Sequence, residues 1–350
     1  MLAMSVAAHA HERPLAAKVL VIGHRGAPAW RPEHTLASYA RAIADGADFI
    51  EPDLVMTKDG VLVARHENEI GGTTDVASHP EFALRRSTRV IDGQTTTGWF
   101  TEDFTLAELK TLCARERLPQ WRSTQYDGEF EIPTLEEIIE LAASTAATGG
   151  RMVGIIPEIK HGSYFAGLGL AMEERLLATL AEQAYTRHAP VEIQSFEIGN
   201  LRYLRERLGA APTNIRLLQL LGDPAEQPWD VAGGKLDYAR MMTPDGLREV
   251  AAYADAIGPH SRAIVPLDAA GRFATPTALV HEAHAAGLEV HTYTFRPENH
   301  FLPRSLWRGD DPASFNEAGS ITEIRACLDA GIDAFFTDAP AIGRKALDAR

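Results

Sequence analysis

Short, continuous apolar runs recur along the chain and alternate with stretches whose apolar residues follow a helical period. Continuous runs of this length predict strands that are buried on both faces. The predicted strands cover residues 19–23, 49–56, 61–66, 152–160, 191–196, 215–221, 254–258, 288–295 and 334–337. The helical period is clearest over residues 35–45, 135–143, 172–183 and 277–286. Strands that alternate with helices indicate a parallel sheet covered by helices.

The number of repeating units favours a single closed barrel. About eight strand–helix units fit a (β/α)₈ TIM barrel better than two doubly wound domains. No glycine-rich dinucleotide fingerprint follows a predicted strand, which counts against a Rossmann fold. The predicted fold class is therefore α/β, a TIM barrel with an insertion after an early strand. Because the candidates outnumber the barrel strands by one, one of them is a hairpin partner or a false assignment.

The insertion is predicted over about residues 70–131, where the chain becomes polar. It has one clear helical pattern, over 106–113, and a threonine-rich segment at 95–98 that is expected to form a turn. An insertion on a strand-to-helix loop lies at the catalytic face of a TIM barrel. We therefore expect this segment to cover a site, the alternative being a mobile excursion with no functional role.

The charge of the chain limits the classes of ligand. Its 350 residues carry a net charge of −14 and include no basic stripe, which disfavours nucleic-acid partners. An anionic substrate would require a local cluster of positive charge or a metal ion. No apolar stretch approaches the roughly 20 residues of a transmembrane helix. The two cysteines, Cys113 and Cys327, lie in no metal-ligand spacing and are expected to be free thiols, with a disulfide as the alternative.

The first residues suggest export. Residues 1–18 are interpreted as a leader or the remnant of a signal peptide, because Ala8-His9-Ala10 has the form of a signal-peptidase site. The positively charged start of such a peptide is missing, so a leader without function is the alternative. Residues 19–350 are assigned to the barrel domain. The expected location is periplasmic or secreted, with the cytoplasm as the alternative.

Charged residues collect where the first predicted strands end. These ends carry His24 and Arg25, then Glu51 and Asp53, then His66, then Glu158 and Lys160, and later strands add Gln194, His291, Tyr293 and Asp338. Residues two apart on a strand share a face, so Glu51 and Asp53 point the same way. Buried charges require partners, and several converging strand ends predict a site.

A divalent cation would explain the three carboxylates. Glu51, Asp53 and Glu158 would otherwise repel one another, and an all-oxygen ligand set suits Ca²⁺ or Mg²⁺. Zinc is disfavoured, because the only His-x-His lies in the N-terminal tail. The alternative is a pair of structural ion pairs, Glu51 with Arg25 and Glu158 with Lys160, without a metal.

The remaining strand-end residues suit chemistry on a phosphate. Arg25 and Lys160 would hold the anion, since both carry donors matched to phosphate oxygens. His24 and His66 would exchange protons with the nucleophile and the leaving oxygen.

The sequence resembles the glycerophosphodiester phosphodiesterases. The motifs that carry the resemblance are His24-Arg25-Gly26, residues 32–36, residues 46–60, His66, residues 133–137, Pro157-Glu158-Ile159-Lys160, Ser195-Phe196 and residues 336–340. They occur in order from about Val19 to Pro340. The Glu33-His34-Thr35 form, the long insertion and residues 293–296 are similar to the bacterial periplasmic branch.

This resemblance implies a TIM barrel that hydrolyses glycerophosphodiesters to sn-glycerol 3-phosphate and an alcohol. The matching positions imply His24 and His66 as the acid/base pair and Glu51, Asp53 and Glu158 as ligands of one divalent cation. Ca²⁺ is the preferred cation and Mg²⁺ the alternative. Arg25 and Lys160 are implied phosphate contacts.

Two further residues are assigned to substrate binding with alternatives. Glu33 is placed at the metal or the glycerol hydroxyls, and capping of the helix near Thr35 explains it equally well. Tyr293 is placed beside the glycerol together with Phe295 and Trp99 or Phe100, all of which would serve equally well as core. His34 is expected to line the mouth of the site.

Two positions depart from the family pattern. Pro52 stands between the two acidic residues, where many members have leucine, so the strand is expected to bulge there. Glu67 follows His66 where many members have an aspartate, and its longer side chain would still orient the histidine.

Two other functions remain open at this stage. A lysophospholipase D-like phosphodiesterase would require an apolar groove for an acyl chain, and the polar insertion argues against one. A noncatalytic barrel that binds phosphate ligands would lack a histidine or a metal carboxylate, and none is missing. The oligomeric state is not predicted.

Overall fold

The protein was analysed as a computed structural model that describes residues 18–209 and 213–348. Residues 1–17 of the predicted leader therefore lie outside the described residues. The strands are β1 Leu20–His24, β2 Phe49–Glu51, β3 Asp53–Met56, β4 Leu62–Ala64, β5 Ser87–Ile91, β6 Gln94–Gly98, β7 Gly154–Ile155, β8 Glu158–Ile159, β9 Val191–Ser195, β10 Ile215–Leu221, β11 Ala256–Pro259, β12 Glu289–Phe295 and β13 Ala334–Thr337.

The helices are α1 Leu36–Ala44, α2 Leu106–Leu109, α3 Leu135–Gly149, α4 Gly162–Gly167, α5 Glu173–Glu182, α6 Gly199–Leu208, α7 Tyr238–Met241, α8 Pro244–Ala251, α9 Ser261–Ile264, α10 Leu279–Ala285, α11 Glu317–Asp329 and α12 Pro340–Asp348. Short 3₁₀ helices cover Val76–Ser78, Pro80–Arg85, Thr101–Asp103, Trp229–Val231, Asn299–Phe301 and Arg304–Leu306. None of the helices within 18–209 and 213–348 combines the length and apolar character needed to cross a bilayer.

Eight parallel strands close into a ring, which confirms the predicted TIM barrel. Two barrel strands are interrupted, so that β2 and β3 form the second and β7 and β8 the third. The first interruption lies at Pro52, as predicted, and the Pro52 carbonyl accepts a hydrogen bond from the Glu158 amide at 2.9 Å. The additional strand candidate is β4, which pairs antiparallel with β3 as a hairpin partner.

Two apolar layers hold the ring. Inside the barrel, a small cluster includes Ile22, Ile156, Leu218 and Phe336. A larger cluster fills the space between the strands and the surrounding helices. Helix α1 packs tightly against β1 there, because a Cβ at Gly23 would lie 2.8 Å from the Ala42 Cβ.

The insertion is a packed layer on the catalytic face. It contains the β5–β6 hairpin and α2, and its Ile70, Val76 and Phe104 side chains belong to the larger apolar cluster. The expected turn at residues 95–98 is wrong, because these residues lie in β6. The turn is formed by Asp92 and Gly93, both at positive φ, as a two-residue hairpin loop requires.

Aromatic and charged contacts tie the insertion to two other loops. The Trp121 ring stacks on His300 with centroids 3.8 Å apart, in the loop after β12. At the other side of the face, Gly93 lies against the Trp229 ring, which a Cβ at Gly93 would approach within 2.9 Å. The segment is therefore held at both sides of the barrel mouth and is not a loose excursion.

Both cysteines are free thiols. Cys327 is buried on α11, and Cys113 is partly buried in the insertion.

Candidate active site

A cavity of about 160 Å³ opens at the carboxyl ends of the barrel strands. Its lining residues are His24, Arg25, Glu51, Asp53, His66, Glu158, Gln194, Phe196, Leu220, His260, Tyr293, Thr294, Arg296 and Phe336. They come from positions far apart in the sequence, and the parallel ring brings them together at one end.

His24 is held by a carboxylate on the neighbouring strand. Its Nδ1 lies 2.6 Å from the Asp338 Oδ1, so a proton on Nδ1 would be donated to Asp338 and Nε2 would be left with its lone pair. Burial, together with the charge of Arg25, lowers the pKa of His24 to about 4. Asp338 in turn accepts from Arg122 at 2.6 Å and from Arg296 at 3.1 Å. The imidazole is therefore neutral and fixed in orientation.

His66 also contacts a carboxylate, that of the next residue, Glu67. Its Nδ1 pairs with Glu67, and its Nε2 lies 3.3 Å from the Lys160 Nζ. Burial and the charges of Arg25 and Lys160 lower the pKa of His66 to about 3. Arg117 donates to the Glu67 carboxylate at 3.0 and 2.6 Å. Both site histidines thus contact a carboxylate through Nδ1, and each of these carboxylates is held by arginine.

Three buried carboxylates line the same cavity as the two histidines. One oxygen from each of Glu51, Asp53 and Glu158 lies within 4.8 Å of the other two. Burial and the two neighbouring carboxylates raise the pKa of Glu51, and burial raises the pKa of Glu158 to about 8. Burial also acts against ionisation of Asp53, but His34 and Lys160 outweigh it and hold the Asp53 pKa well below its usual range. Such a cluster favours protons or a cation.

Neighbouring donors orient the first two carboxylates. Glu51 accepts from the Arg25 backbone amide at 2.6 Å and from the Gln194 side-chain amide at 3.0 Å. The His34 Nε2 lies 2.9 Å from the Asp53 Oδ2. The other oxygen, Asp53 Oδ1, is buried and has no hydrogen-bond partner within the described parts of the chain.

These residues fit a divalent cation. The donor set consists of carboxylate oxygens, which Ca²⁺ and Mg²⁺ prefer, and Asp53 Oδ1 supplies an oxygen that no donor among the described residues satisfies. Glu158 accepts from the Lys160 ammonium at 2.8 Å, so the cation site adjoins a positively charged side chain.

The backbone at the site is strained. Arg25 and His34 adopt φ of 54° and 53°, a region that non-glycine residues seldom occupy. Each is held by its partners: the Arg25 amide donates to Glu51, and the His34 amide donates to the Arg25 carbonyl at 3.1 Å. Strain of this kind concentrates at functional sites.

The sequence profile of the Glycerophosphoryl diester phosphodiesterase family matches residues 24–342. The chain belongs to this family. It is an enzyme of the phosphoric diester hydrolase class, and the matched span runs from the first site histidine to α12.

Curated relatives share this assignment over most of their length. The glycerophosphodiester phosphodiesterase GDPD6 of Arabidopsis thaliana is 36% identical over 348 residues, which cover 95% of this chain and 87% of that protein. The glycerophosphodiester phosphodiesterase of Haemophilus influenzae is 32% identical over 305 residues, covering 80% of this chain and 79% of that protein.

Solved structures share the fold. A protein of Silicibacter pomeroyi described as a putative glycerophosphoryl diester phosphodiesterase superimposes with a TM-score of 0.62 at 24% identity, covering 96% of this chain and 95% of that chain. A phosphodiesterase of Oleispira antarctica was solved in complex with the product sn-glycerol-3-phosphate. It has a TM-score of 0.56 at 21% identity and covers 94% of this chain and 96% of that chain.

Most residues that the sequence singles out lie around the cavity of the enzyme. His24, His66, Arg25, Tyr293 and the three carboxylates line it. Lys160 stands at its edge, paired with Glu158 and 5.7 Å from the centre of the Phe196 ring. The alternative interpretation expected an ion pair between the side chains of Arg25 and Glu51. The contact observed is a hydrogen bond in which the backbone amide of Arg25 donates to Glu51.

Glu33 lies behind Arg25 rather than on the cavity wall. Its carboxylate accepts from Arg25 at 3.0 Å and from Arg117 at 2.6 and 2.9 Å, and the residue is 5% exposed. Substrate contact by Glu33 therefore stays a prediction, and its observed contacts position Arg25. Thr35 caps α1, since its side chain accepts from the Ser38 amide.

His34 is not a liner of the mouth. It is fully buried and bridges Asp53 to the Tyr39 hydroxyl, which lies 2.7 Å from the His34 Nδ1. The prediction is wrong because the side chain is enclosed between Asp53 and Tyr39 and does not reach the mouth.

The aromatic candidates divide between wall and core. Tyr293 lines the cavity, and its hydroxyl donates to the Leu221 carbonyl at 2.7 Å. Phe295 and Phe100 are fully buried core residues. Trp99 is fixed inside the insertion by a 2.8 Å hydrogen bond from its Nε1 to the Phe82 carbonyl.

His291 does not belong to the site. It is the third residue of β12 and lies near the amino-terminal end of the barrel, between Glu192 at 2.9 Å and Glu289 at 3.0 Å. Arg216 lies 2.9 Å from Glu289 and completes this buried cluster.

Sequence reasoning missed the arginines that hold the site carboxylates. Arg117 and Arg122 come from the insertion, and Arg296 comes from the loop after β12. Nothing in their local pattern distinguishes them from surface arginines. One signal was available: the strand ends carry more buried carboxylates than cationic side chains, so further cations had to come from the loops.

Proposed function

We propose that the enzyme hydrolyses glycerophosphodiesters to sn-glycerol 3-phosphate and an alcohol, and that it requires one divalent cation. The observation that carries this proposal is one cavity that combines three clustered carboxylates with two histidines, each oriented by its own carboxylate. The relatives named glycerophosphodiester phosphodiesterase support the substrate class. The product in the Oleispira antarctica enzyme is consistent with it.

Glu51, Asp53 and Glu158 would hold the cation, with Ca²⁺ preferred over Mg²⁺. When bound, the cation would neutralise part of the negative charge that develops on the phosphate oxygens in the transition state. Binding of the cation would displace protons from Glu51 and Glu158 into the solvent, because the pKa values of both carboxyl groups are raised. His34 and Gln194 would keep two of the ligands in place.

Arg25 and Lys160 would bind the phosphate. Both are buried yet charged, because Glu33 and Asp53 flank Arg25 and Glu158 flanks Lys160. Burial strengthens each contact with an anion, since little water screens it. The two side chains approach from different barrel strands and would fix the orientation of the diester.

His24 and His66 would transfer the protons. In the tautomers that their partners favour, the Nε2 atom of each carries a lone pair that can accept a proton. One histidine would take a proton from the nucleophile and the other would donate one to the leaving oxygen. Burial and the neighbouring cations lower the pKa of both histidines, and an anionic substrate would favour the protonated form of the donating histidine.

The lysophospholipase D-like alternative is disfavoured by the space beside the cavity. That space is lined by Asp92, Glu197 and Glu226 as well as by aromatic residues. An acyl chain would desolvate these carboxylates without compensation.

A coupled assay for glycerol 3-phosphate release from glycerophosphocholine tests the proposal. EDTA should abolish turnover, and Ca²⁺ should restore it better than Mg²⁺. Turnover that persists after chelation would contradict the metal requirement. The His66→Ala variant should be inactive with intact folding, and His188→Ala, which alters an exposed histidine, serves as its matched control.

A further inference from the structure

A second cavity of about 480 Å³ adjoins the catalytic cavity. The two share Glu158 and Phe196 in their walls, and Lys160 also borders the second. A phosphate held at Lys160 therefore stands at the junction. Because a diester has two ester arms, one arm can occupy the first cavity while the other extends into the second. We call this second space the side pocket.

The two cavities differ in their cationic side chains. The catalytic cavity combines its three carboxylates with Arg25 and Arg296, whereas the side pocket contains no arginine among its described lining residues. Its charged lining residues are Asp92, Glu158, Lys160, His161, Glu197 and Glu226. Lys160 is paired with Glu158, and the His161 Nδ1 lies 2.6 Å from the Asp92 Oδ2. Two carboxyl groups, those of Glu197 and Glu226, are left without a cationic partner among the described residues.

Two polar atoms at the insertion side of the pocket have no partner. Asp92 Oδ1 and His161 Nε2 are buried and make no hydrogen bond within the described ranges. Asp92 and His161 contact each other through their other side-chain atoms, and this contact links the β5–β6 turn to the start of α4. Buried polar atoms without partners are uncommon and indicate a missing water or ligand.

Glu197 is a buried acidic residue in the wall of the side pocket. It is 6% exposed, and among the residues that the structure describes its carboxylate accepts only from Ser163, through the hydroxyl at 2.6 Å and the amide at 2.9 Å. Burial raises the pKa of Glu197 to about 7. A cation in the pocket would favour its ionised form.

Aromatic rings complete the wall. Phe196 and Tyr238 meet edge to face with centroids 6.4 Å apart, and Trp229 lies opposite the hairpin turn with 42% of its surface exposed. Aromatic faces beside carboxylates bind ammonium groups, and this holds for quaternary ammonium as well. A neutral polyol would gain little binding free energy from aromatic faces beside carboxylates, because it carries no positive charge.

We propose that the side pocket binds the alcohol arm of the substrate and favours an alcohol that carries an ammonium group. This inference rests on the proposed function and extends it to the choice of head group. Glu226 and Trp229 would determine that preference, because they lie on the loop after β10 and are absent from the catalytic cavity.

The test compares two diesters that share the phosphate and one glycerol arm. Glycerophosphocholine carries a quaternary ammonium alcohol, and glycerophosphoglycerol carries a neutral one. We expect a higher kcat/KM for glycerophosphocholine, and a ratio of the two values that falls as salt is added. Glu226→Gln and Trp229→Ala should each lower this ratio by about threefold. Glu206→Gln, at an exposed position on α6, is the matched control and should leave it unchanged.

Inhibition by a free ammonium ion tests the side pocket without an ammonium group on the substrate. Tetramethylammonium should inhibit the hydrolysis of glycerophosphoglycerol, and the Glu226→Gln variant should require more of it. Equal kcat/KM values for the two diesters, with no effect of either substitution, would overturn the side-pocket inference. A protein that hydrolyses neither diester in the presence of Ca²⁺ or Mg²⁺ would instead overturn the proposed function.

Discussion

His34 Nε2 lies 2.9 Å from Asp53 Oδ2, and both residues are almost completely buried. The imidazole is itself held by the Tyr39 hydroxyl, so it fixes the direction in which the carboxylate points. Groups that orient a metal ligand typically change metal affinity by about 10- to 100-fold when they are removed. His34 therefore belongs to the proposed cation site although it would contact no metal.

Replacing His34 should weaken cation binding. The His34→Asn variant loses the contact with Asp53, so we expect Ca²⁺ affinity to fall by about tenfold or more. Excess Ca²⁺ should restore most of the activity. Calorimetric titration of the metal-free variant measures the effect, with His188→Asn as the exposed control. Unchanged affinity would show that Asp53 does not bind the cation or does not depend on His34.

Cation binding should release protons. Burial raises the pKa of Glu158 to about 8, so this carboxyl group retains a proton at neutral pH without a metal, and burial also raises the pKa of Glu51. A cation must displace the proton of Glu158, and its apparent affinity should rise between pH 6 and pH 8 and level off above. Calorimetry in two buffers of different ionisation enthalpy measures the released protons. Identical apparent enthalpies in both buffers would contradict this expectation.

Asp338 should be essential for the function of His24. Asp338→Asn removes the charged acceptor at His24 Nδ1 and permits the wrong tautomer, so we expect kcat to fall by on the order of 10²-fold or more. KM should change much less, because phosphate contacts remain. The matched control is Asp245→Asn, at an exposed position on α8. A variant with normal kcat and an unshifted pH–rate profile would argue that the His24–Asp338 pair is structural only.

Arg117 should couple the insertion to catalysis. Its guanidinium binds Glu33 and Glu67 together, and Glu33 contacts Arg25 while Glu67 contacts His66. A lysine has no planar fork to bridge two carboxylates, so Arg117→Lys should lower kcat/KM by about tenfold. Arg115→Lys, two residues away and half-exposed, is the control. If both variants behave alike, the bridge is not required for turnover.

The cluster around His291 should make stability depend on pH. Although burial opposes the charged form, Glu192 and Glu289 raise the pKa of His291 to about 9. Because this folded-state pKa lies above the unfolded value near 6.5, the stabilisation is fully present below pH 6.5 and is lost as the pH rises through 9. The ion pairs of His291 with Glu192 and Glu289 should contribute on the order of 3 kcal/mol.

Urea unfolding at several pH values measures this contribution. The difference in free energy of unfolding between the wild-type protein and His291→Gln should shrink from pH 6.5 to pH 9.5. His281→Gln, at an exposed position on α10, is the control. A difference that stays constant with pH would mean that the charge of His291 does not change over this range.

The sequence was most informative where the chemistry lies on the barrel strands. Continuous apolar runs locate the strands, and the charges that follow them meet because parallel strands place their carboxyl ends at one edge. The break at Pro52 was also predictable, since proline lacks an amide donor. Apolar runs, the charges at their ends and the missing amide of proline can all be read from a few neighbouring residues.

The remaining features depend on tertiary contacts. Arg117 reaches the site across 84 positions of sequence to Glu33, and no periodicity reports such a contact. His291 was assigned to the wrong end because a strand gives the face of a residue but not its depth along a barrel axis. The threonines of β6 were misassigned although β-branched residues favour strands, and the Asp-Gly turn signal stands just before them.

The position of the hairpin strand β4 affects how the active site can change during evolution. His66 follows β4, which pairs with β3 and, through one bridge, with Thr134 and stands outside the eight-stranded ring, whereas His24 ends a strand of the ring itself. A length change between β3 and β4 would therefore move one proton-transfer group while the other, and the shear of the barrel, stay fixed. The distance between the two histidines can thus diverge among descendants of this sequence independently of the scaffold.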